Sequence, residues 1–266
     1  MPNYTNSVWS ETAPAKPYAK LEGNISVDVA IVGAGITGVT AARLLKRAGK
    51  TVALVDSRRI GKGETSKTTA HLTEALDTRY HTLISRFGED RARMAAHGQR
   101  VAIDQIAAFI DELGISCGFT RVPGYLYSET AAGAAEVEVE AEATARLRMR
   151  AALATDVPLP FAVKRALRFE DQAQFHPRAY LLGLAEGLAG DGSHIFEQTH
   201  VIDVDEGDGA RVITDNGVIS ARSVIVAAHV PISNKLFVHT KIAAYRTYVV
   251  GVARMGVDAP GLFWDT

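Results

Sequence analysis

One hexapeptide constrains this chain more than any other feature: Gly33-Ala34-Gly35-Ile36-Thr37-Gly38, set between an apolar run and an amphipathic stretch. Val27 to Val32 carries apolar residues on both faces, as a strand buried in a parallel sheet does. The stretch from about Thr37 to Ala48 has helical periodicity, and Gly49 stands where a helix C-cap is expected. Thr51 to Val55 reads as a second strand, ending at Asp56. Strand, glycine turn, helix and strand together make a βαβ unit with a phosphate-binding turn. Gly33 permits the tight turn, Gly35 lets the backbone approach a pyrophosphate, and Gly38 allows close helix–strand packing. The first-turn N–H groups around Ile36 and Thr37 and the positive end of the helix would face the phosphates. A glycine turn of this kind can also serve packing alone.

Asp56 lies at the right distance to accept hydrogen bonds from a ribose diol. Hydrogen bonds to a charged group are worth roughly 1.5–3 kcal/mol. A carboxylate there disfavours a 2′-phosphate, which argues against NADP. After Asp56 the pattern departs from a plain nicotinamide-binding domain, which would keep alternating strands and helices. Ser57 to Thr73 forms a polar loop carrying Ser57, Arg58, Gly61, Lys62, Gly63, Thr65, Ser66, Thr68 and Thr69. Its hydroxyls, free backbone and positive charge suit a loop that reaches over a pyrophosphate; a solvated surface loop is the alternative. A long helical region then spans about Thr78 to Leu113, with Leu83, Phe87, Met94, Val101, Ile106, Phe109 and Ile110 at near-helical spacing.

Short strands are expected around Phe119 to Arg121 and Tyr125 to Tyr127, and helices near Ala131 to Arg150 and Pro177 to Ala189. Ile195 to Gln198 and Val201 to Val204 read as strands. Ala210 to Thr214 and Val218 to Ala221 read as a hairpin whose turn contains Asn216-Gly217. Ser223 to Ala228 is expected to be a last buried strand. Residues 1 to about 24 show no clear periodicity and read as an irregular arm.

Composition narrows the function classes. The chain has 266 residues, 47% hydrophobic and 22% charged, enough for a large core and one or two domains. A net charge of −1 gives no electrostatic footprint for nucleic acid or an anionic membrane. The single cysteine, Cys117, excludes an internal disulfide and an all-cysteine metal site, and reads most simply as a buried apolar side chain. Neither a secretory signal nor a membrane span is visible, so a soluble cytoplasmic protein is expected.

The stretch Val29 to Gly38 resembles the D-amino-acid-oxidase-like FAD-dependent oxidoreductases, the superfamily that holds glycine and sarcosine oxidases. Gly61 to Ser66 is similar to that family's second phosphate-contacting loop. His176-Pro177 to Gly187 is similar to the helix before the returning strands. Glu197 to Val201 resembles the strand that passes the adenine, and Val224 to Ala228 the strand that closes the FAD domain. More narrowly, Ser66 to Thr73 and Pro260 to Thr266 resemble bacterial members with a C-terminal Rieske domain. The resemblance implies FAD contacts at Gly33, Gly35, Ile36, Thr37, Gly38, Asp56, Ser57, Arg58, Gly63, Thr65, Ser66, Thr68, Thr69, Val201, Ala227 and Ala228. Some relatives attach FAD through a histidine; the matching position here is Lys67, so noncovalent FAD is expected. Family members are longer, and their C-terminal segment completes the flavin pocket, so the chain reads as C-terminally truncated. A Rieske centre needs two cysteines and two histidines, so no cluster is expected in this chain.

The resemblance implies an α/β fold: a Rossmann-like FAD domain of about 25–113 plus 176–232, and a smaller α+β substrate domain of about 114–175 plus 233–266. The expected activity is FAD-dependent oxidation of an amine or amino acid, with an electron-acceptor domain or protein as a further partner. Tyr245, Arg246 and Tyr248 resemble the family's substrate-domain strand. Arg246 could bind a substrate carboxylate bidentately or serve a structural ion pair. Tyr125 and Tyr127 could line the same cavity or belong to the core. His71 could face the flavin or be a structural histidine. The alternatives are an NAD-dependent dehydrogenase and a nucleotide-binding fragment without turnover.

Overall fold

The structure is a computed structural model and describes residues 7–205, 207, 209–229 and 260–266. They fall into two units, one within Met1–Thr69 and His176–Val249, the other within Ala70–Phe175 and Val250–Thr266. The expected boundary at residue 113 is therefore displaced to residue 69. The helices of residues 80–113 pack Tyr80, Ala92 and Ala96 against Ala143 and Leu147 of the second unit, and Val137 carries that layer onto the sheet residues Leu126, Leu167 and Phe169.

The first unit is built on β1 (Ile25–Val32), β2 (Val52–Val55), β7 (His194–Phe196), β8 (Val201–Asp205), β9 (Ala210–Thr214) and β10 (Gly217–Val226). Their order is β7-β2-β1-β10-β9-β8, with β7, β2, β1 and β10 parallel and the last two strands antiparallel. Ala30, Ile31 and Leu54 are completely buried, as parallel strands covered on both faces require. Helix α2 (Ile36–Arg47) returns the chain between β1 and β2. Gly49 N–H to Lys46 O and Lys50 N–H to Leu45 O close it in a Schellman cap. The segments read as separate strands at Val218 to Ala221 and Ser223 to Ala228 are one strand, because β1 pairs with β10 on both sides of exposed Arg222. Nor is its end buried: Val224 and Ile225 are half-buried and Val226 is exposed. The arm is not wholly irregular, since Ser7 caps a short helix, α1 (Val8–Thr12), through its hydroxyl. Helix α6 (Pro177–Ala185) starts with Pro177 in its first turn and His176 as its N-cap.

The second unit holds β3 (His71–Leu72), β4 (Thr120–Ser128), β5 (Ala151–Ala154), β6 (Arg165–Gln174) and β11 (Leu262–Asp265). The order is β11-β4-β6-β3, with β5 also on β6. The two strand pieces expected near residues 119–127 are a single β4, whose register shifts between Val122 and Gly124. Pro123, which has no N–H for a ladder, sits at that shift. Helices α3 (Tyr80–Phe87), α4 (Glu89–Leu113) and α5 (Ala131–Arg146) complete the unit. The single helical region expected from Thr78 to Leu113 is thus broken at Gly88. Phe87, Met94 and Val101, three of the apolar residues at near-helical spacing, are exposed. The buried face of α4 is instead Ala92, Ala96, Ile103 and Phe109, and Ala92 and Ala96 pack against Tyr80, Ala143 and Leu147.

Glu140 of α5 is completely buried and serves as the N-terminal cap of α3. Its carboxylate accepts the Tyr80 and His81 N–H groups at 2.7 and 3.1 Å and contacts His81 Nδ1 at 2.9 Å. Glu140→Ala would leave the first-turn N–H groups of a packed helix without acceptors. A loss of about 2–4 kcal/mol in unfolding free energy is expected by urea titration.

Candidate functional site

The glycine turn sits at the C-terminal edge of the parallel strands, where open α/β sheets bind ligands. Gly33 adopts φ +110°, and a Cβ there would meet the Ala227 carbonyl oxygen at 2.6 Å. A Cβ on Gly38 would stand only 1.9 Å from the Gly33 carbonyl oxygen. Both neighbours are backbone, so no side-chain adjustment relieves either contact. Gly33 N–H donates to Val55 O at 2.8 Å and Ala227 N–H to Val32 O at 2.8 Å, which fixes the turn between β2 and the end of β10.

Asp56, at the end of β2, is half-buried. One carboxylate oxygen accepts Ala34 N–H at 2.8 Å and the other accepts Arg58 N–H at 2.8 Å. The carboxylate therefore ties the glycine turn to the start of the next loop, and keeps lone pairs for two further donors. Its own backbone is held by Phe196 O and Thr199 N–H, both at 3.0 Å.

The loop folds back onto the helix start. Thr65 Oγ1 accepts Ile36 N–H at 3.1 Å, and a Cβ on Gly35 would touch only that oxygen, at 3.4 Å. Gly63 lies beside the Arg58 guanidinium, which a Cβ would meet at 3.2 Å. Ser66 is buried, and its hydroxyl donates to the Gly61 carbonyl. Ser57, Arg58, Thr68 and Thr69 are exposed. Lys67, in a short turn of 3₁₀ helix (Glu64–Lys67), pairs with Glu64 at 3.1 Å. Val201 begins β8 and pairs with Thr214; Ala227 and Ala228 line the other side of Gly33. The first unit thus brings the glycine turn, Asp56 and the loop together around the α2 N-terminus. This donor set fits a dinucleotide: first-turn N–H groups for a pyrophosphate, a carboxylate for a ribose diol, and an exposed guanidinium nearby.

Residues 28–264 match the family described as DAO, FAD dependent oxidoreductase. The chain belongs to this family. Over 224 residues it is 31% identical to YhfW of Bacillus subtilis (strain 168), which carries the name of a Rieske 2Fe-2S iron-sulfur protein. That match covers 84% of this chain and 44% of YhfW. It is 25% identical to gamma-glutamylputrescine oxidoreductase of Escherichia coli (strain K12), over 89% of this chain and 57% of the relative. The fold is that of glycine oxidase from Geobacillus kaustophilus, with a TM-score of 0.65 at 19% identity over 76% of this chain and 55% of that one. L-amino acid deaminase from Proteus vulgaris matches at a TM-score of 0.61 and 18% identity, over 79% of this chain and 49% of that one. The chain spans about half the length of the curated relatives it matches. The cofactor of the family is FAD, and the reading as an NAD-dependent dehydrogenase goes no further.

In the second unit, His71 on β3 lines a cavity of about 280 Å³ together with Thr73, Asp77, Gln99, Ile103 and Ile106. Its ring meets the Trp264 ring edge-on, with centroids 5.5 Å apart. Burial pushes its imidazole below the ordinary range, so it is neutral at neutral pH. Tyr125 stacks on Phe263 at 5.3 Å, and burial raises the Tyr127 phenol. Cys117 is a buried free thiol, raised mainly by burial. Tyr245, Arg246 and Tyr248 lie outside the described residues. Glu197, expected on an adenine-side strand, instead follows the end of β7 and is buried, as is Arg178 of α6; a charged residue carries no mark of burial in a single sequence. Among the described residues no helix is long and apolar enough to cross a membrane.

Proposed function

We propose that this chain holds FAD noncovalently on its first unit and belongs to an oxidoreductase that oxidises an amine or amino acid. The observation that carries the proposal is the Asp56 carboxylate, pinned to the glycine turn by Ala34 N–H at 2.8 Å beside the α2 N-terminus. In this reading the N–H groups of Gly35, Thr37 and Gly38 face the pyrophosphate, Asp56 accepts the ribose hydroxyls, and Arg58 adds positive charge. Thr65 and Ser66 shape the loop, Gly63, Thr68, Thr69 and Ser57 offer backbone and hydroxyl donors, and Val201, Ala227 and Ala228 wall the site. When bound, FAD supplies a two-electron acceptor for hydride from the carbon bearing the amine. The protein's part is to orient substrate and exclude water. Neutral His71 is the candidate on the second unit for a hydrogen bond to substrate, with Arg246 and Tyr248 as candidate substrate-strand residues. The names of glycine oxidase and L-amino acid deaminase among the fold's neighbours support an amine or amino-acid substrate. The Rieske name of YhfW supports an iron–sulfur domain or protein as electron acceptor.

The test is the visible absorption spectrum of the chain after FAD is added and the sample is desalted. Retained flavin bands establish the site, and anaerobic bleaching by a panel of amines and amino acids establishes turnover. Bands that no substrate bleaches would favour the second reading, nucleotide binding without turnover. A colourless wild-type chain would sink the cofactor site. Asp56→Ala is expected to weaken FAD by about 10- to 100-fold in a fluorescence titration, since two charge-assisted hydrogen bonds are lost.

A further inference from the structure

Two buried charged side chains on the first unit are spent on backbone groups. Glu197 and Arg178 are 1% and 2% exposed. Both act on Ile60, a completely buried residue of the loop after Asp56. Glu197 Oε1 accepts the Ile60 N–H at 2.8 Å, and Arg178 Nη1 donates to the Ile60 carbonyl at 3.0 Å. Their other atoms reach the N-terminal arm: Glu197 Oε2 accepts Tyr18 N–H at 3.0 Å, and Arg178 Nε donates to Ala13 O at 2.8 Å. The Glu197 N–H also donates to Ala19 O at 3.1 Å. One turn of the loop is thus bolted to the arm through the Glu197 and Arg178 side chains.

The held turn connects directly to the candidate cofactor site. Gly61 N–H donates to the Ala34 carbonyl, inside the glycine hexapeptide, at 3.0 Å. The Gly61 carbonyl receives the Ser66 hydroxyl, which fixes the far side of the loop. Gly61 itself has φ +65°, and a Cβ would meet Leu181 Cδ2 at 2.5 Å and Arg178 Nη1 at 3.1 Å. The arm touches the other end of the loop as well, where Trp9 Nε1 donates to Thr68 O at 2.9 Å. Trp9 packs edge-on to His176 at 4.9 Å, and His176 Nδ1 accepts the Ala179 N–H at 3.1 Å. That bond leaves the His176 proton on Nε2, 2.8 Å from Thr12 Oγ1 of the arm.

We infer that Glu197 and Arg178 are positioning residues for FAD: they lock the Ile60–Gly61 turn of the phosphate-side loop, with arm residues 13–18 as the second anchor. The inference rests on the FAD reading above. Neither side chain touches the cofactor in this account; each sets the loop that does. Stability alone would also suffer if a buried charge lost a partner, so the readouts must separate positioning from folding.

Tyr18→Pro deletes the amide hydrogen that Glu197 accepts and also fixes φ at that position; Tyr18→Ala loses the same side chain but keeps the amide, and Glu197→Gln probes the same bond without touching the arm backbone. Glu197→Gln sets an amide group against one of the two N–H donors. For each variant of the full chain, two quantities are measured: the FAD dissociation constant, and hydrogen exchange at the Ile60 and Gly61 amides without FAD, with β1 and β2 amides as the fold control. Tyr18→Pro is expected to bind FAD about tenfold more weakly than Tyr18→Ala, and Glu197→Gln about tenfold more weakly than wild type. Exchange at Ile60 should accelerate by a similar factor while β1 and β2 stay protected. Faster loop exchange with unchanged FAD affinity would overturn the positioning role and leave a structural one. Unchanged exchange would overturn the arm as an anchor. A wild-type chain that binds no FAD would instead overturn the functional reading and the cofactor half of this inference, with the exchange data still deciding the lock.

Discussion

Gly38→Ala is expected to leave the purified chain colourless after FAD addition and desalting, with affinity reduced by at least about 100-fold. The added Cβ would stand 1.9 Å from the Gly33 carbonyl oxygen and 3.4 Å from the Ile31 side chain. A carbonyl oxygen in the turn has no rotamer to escape through, so α2 must move away from β1 or the turn must open. Either movement takes the first-turn N–H groups away from the pyrophosphate. It also strains Ala34, whose N–H is held by Asp56 at 2.8 Å and whose carbonyl is held by Gly61 N–H at 3.0 Å. Forced overpacking of this kind destabilises by about 1–3 kcal/mol. The second unit's melting, followed by hydrogen exchange of β4 and β6 amides, should be unaffected. Retained flavin bands in Gly38→Ala at wild-type intensity would show that the hexapeptide does not hold the cofactor.

The second large effect concerns the Glu74–Arg100 pair of the second unit. Glu74 is 3% exposed, and the Arg100 guanidinium lies against its carboxylate. Arg100 also donates to the Glu170 and Asp171 carbonyls at 3.1 and 3.2 Å. The Glu74 backbone is held too: its N–H donates to Gln172 Oε1 at 2.6 Å and its carbonyl accepts the Tyr80 hydroxyl at 2.7 Å. Burial raises the Glu74 carboxyl above its ordinary range, and Arg100 opposes that rise. Arg100→Met removes the opposing charge and leaves the buried Glu74 carboxylate without its partner, while the Glu170 and Asp171 carbonyls keep Gln172 Nε2 and Arg121 Nη1 as donors. A loss of about 3–5 kcal/mol at neutral pH is expected, as for other broken buried pairs.

The pH dependence has a definite sign. A carboxyl raised on folding binds its proton more tightly in the native chain, so its contribution is full below the unfolded value and is lost as pH rises through the folded one. Wild type should therefore lose a little stability from this group as pH rises out of the acid range. In Arg100→Met the folded value rises further, so the loss is larger and extends to higher pH. Unfolding free energies of the two proteins should converge near pH 4 and diverge toward pH 8. A difference that stays constant across that range would show that Arg100 acts through its carbonyl bonds alone.

The glycine turn, α2, β2 and Asp56 were legible because their physics is local. Strand burial, turn sterics and helix capping involve residues within about thirty positions of one another, and each choice agrees with its neighbours. The resemblance of the loop and of the Val224–Ala228 strand added the family. What misled was also local: apolar residues at near-helical spacing suggested one helix from Thr78 to Leu113, but Gly88 breaks it, Phe87, Met94 and Val101 are exposed, and Ala92, Ala96, Ile103 and Phe109 make the buried face of α4. Likewise β6 went unread because Arg165, Arg168, Glu170 and Asp171 interrupt its apolar residues. Those charged residues face outward or meet partners from Glu138, β6 itself and the Arg150 region, which one sequence cannot reveal.

By itself, then, the sequence determined the βαβ unit, its glycine turn and the acid that ends β2, since each follows from contacts between near neighbours along the chain. Only the tertiary structure decided that the helices of residues 80–113 belong with the second sheet, and that Glu197 and Arg178 hold Ile60 against an arm more than 150 residues earlier. A buried carboxylate and an exposed one are the same letter. Which of them binds a backbone depends on segments distant in sequence meeting in space, and that is settled by packing the whole unit.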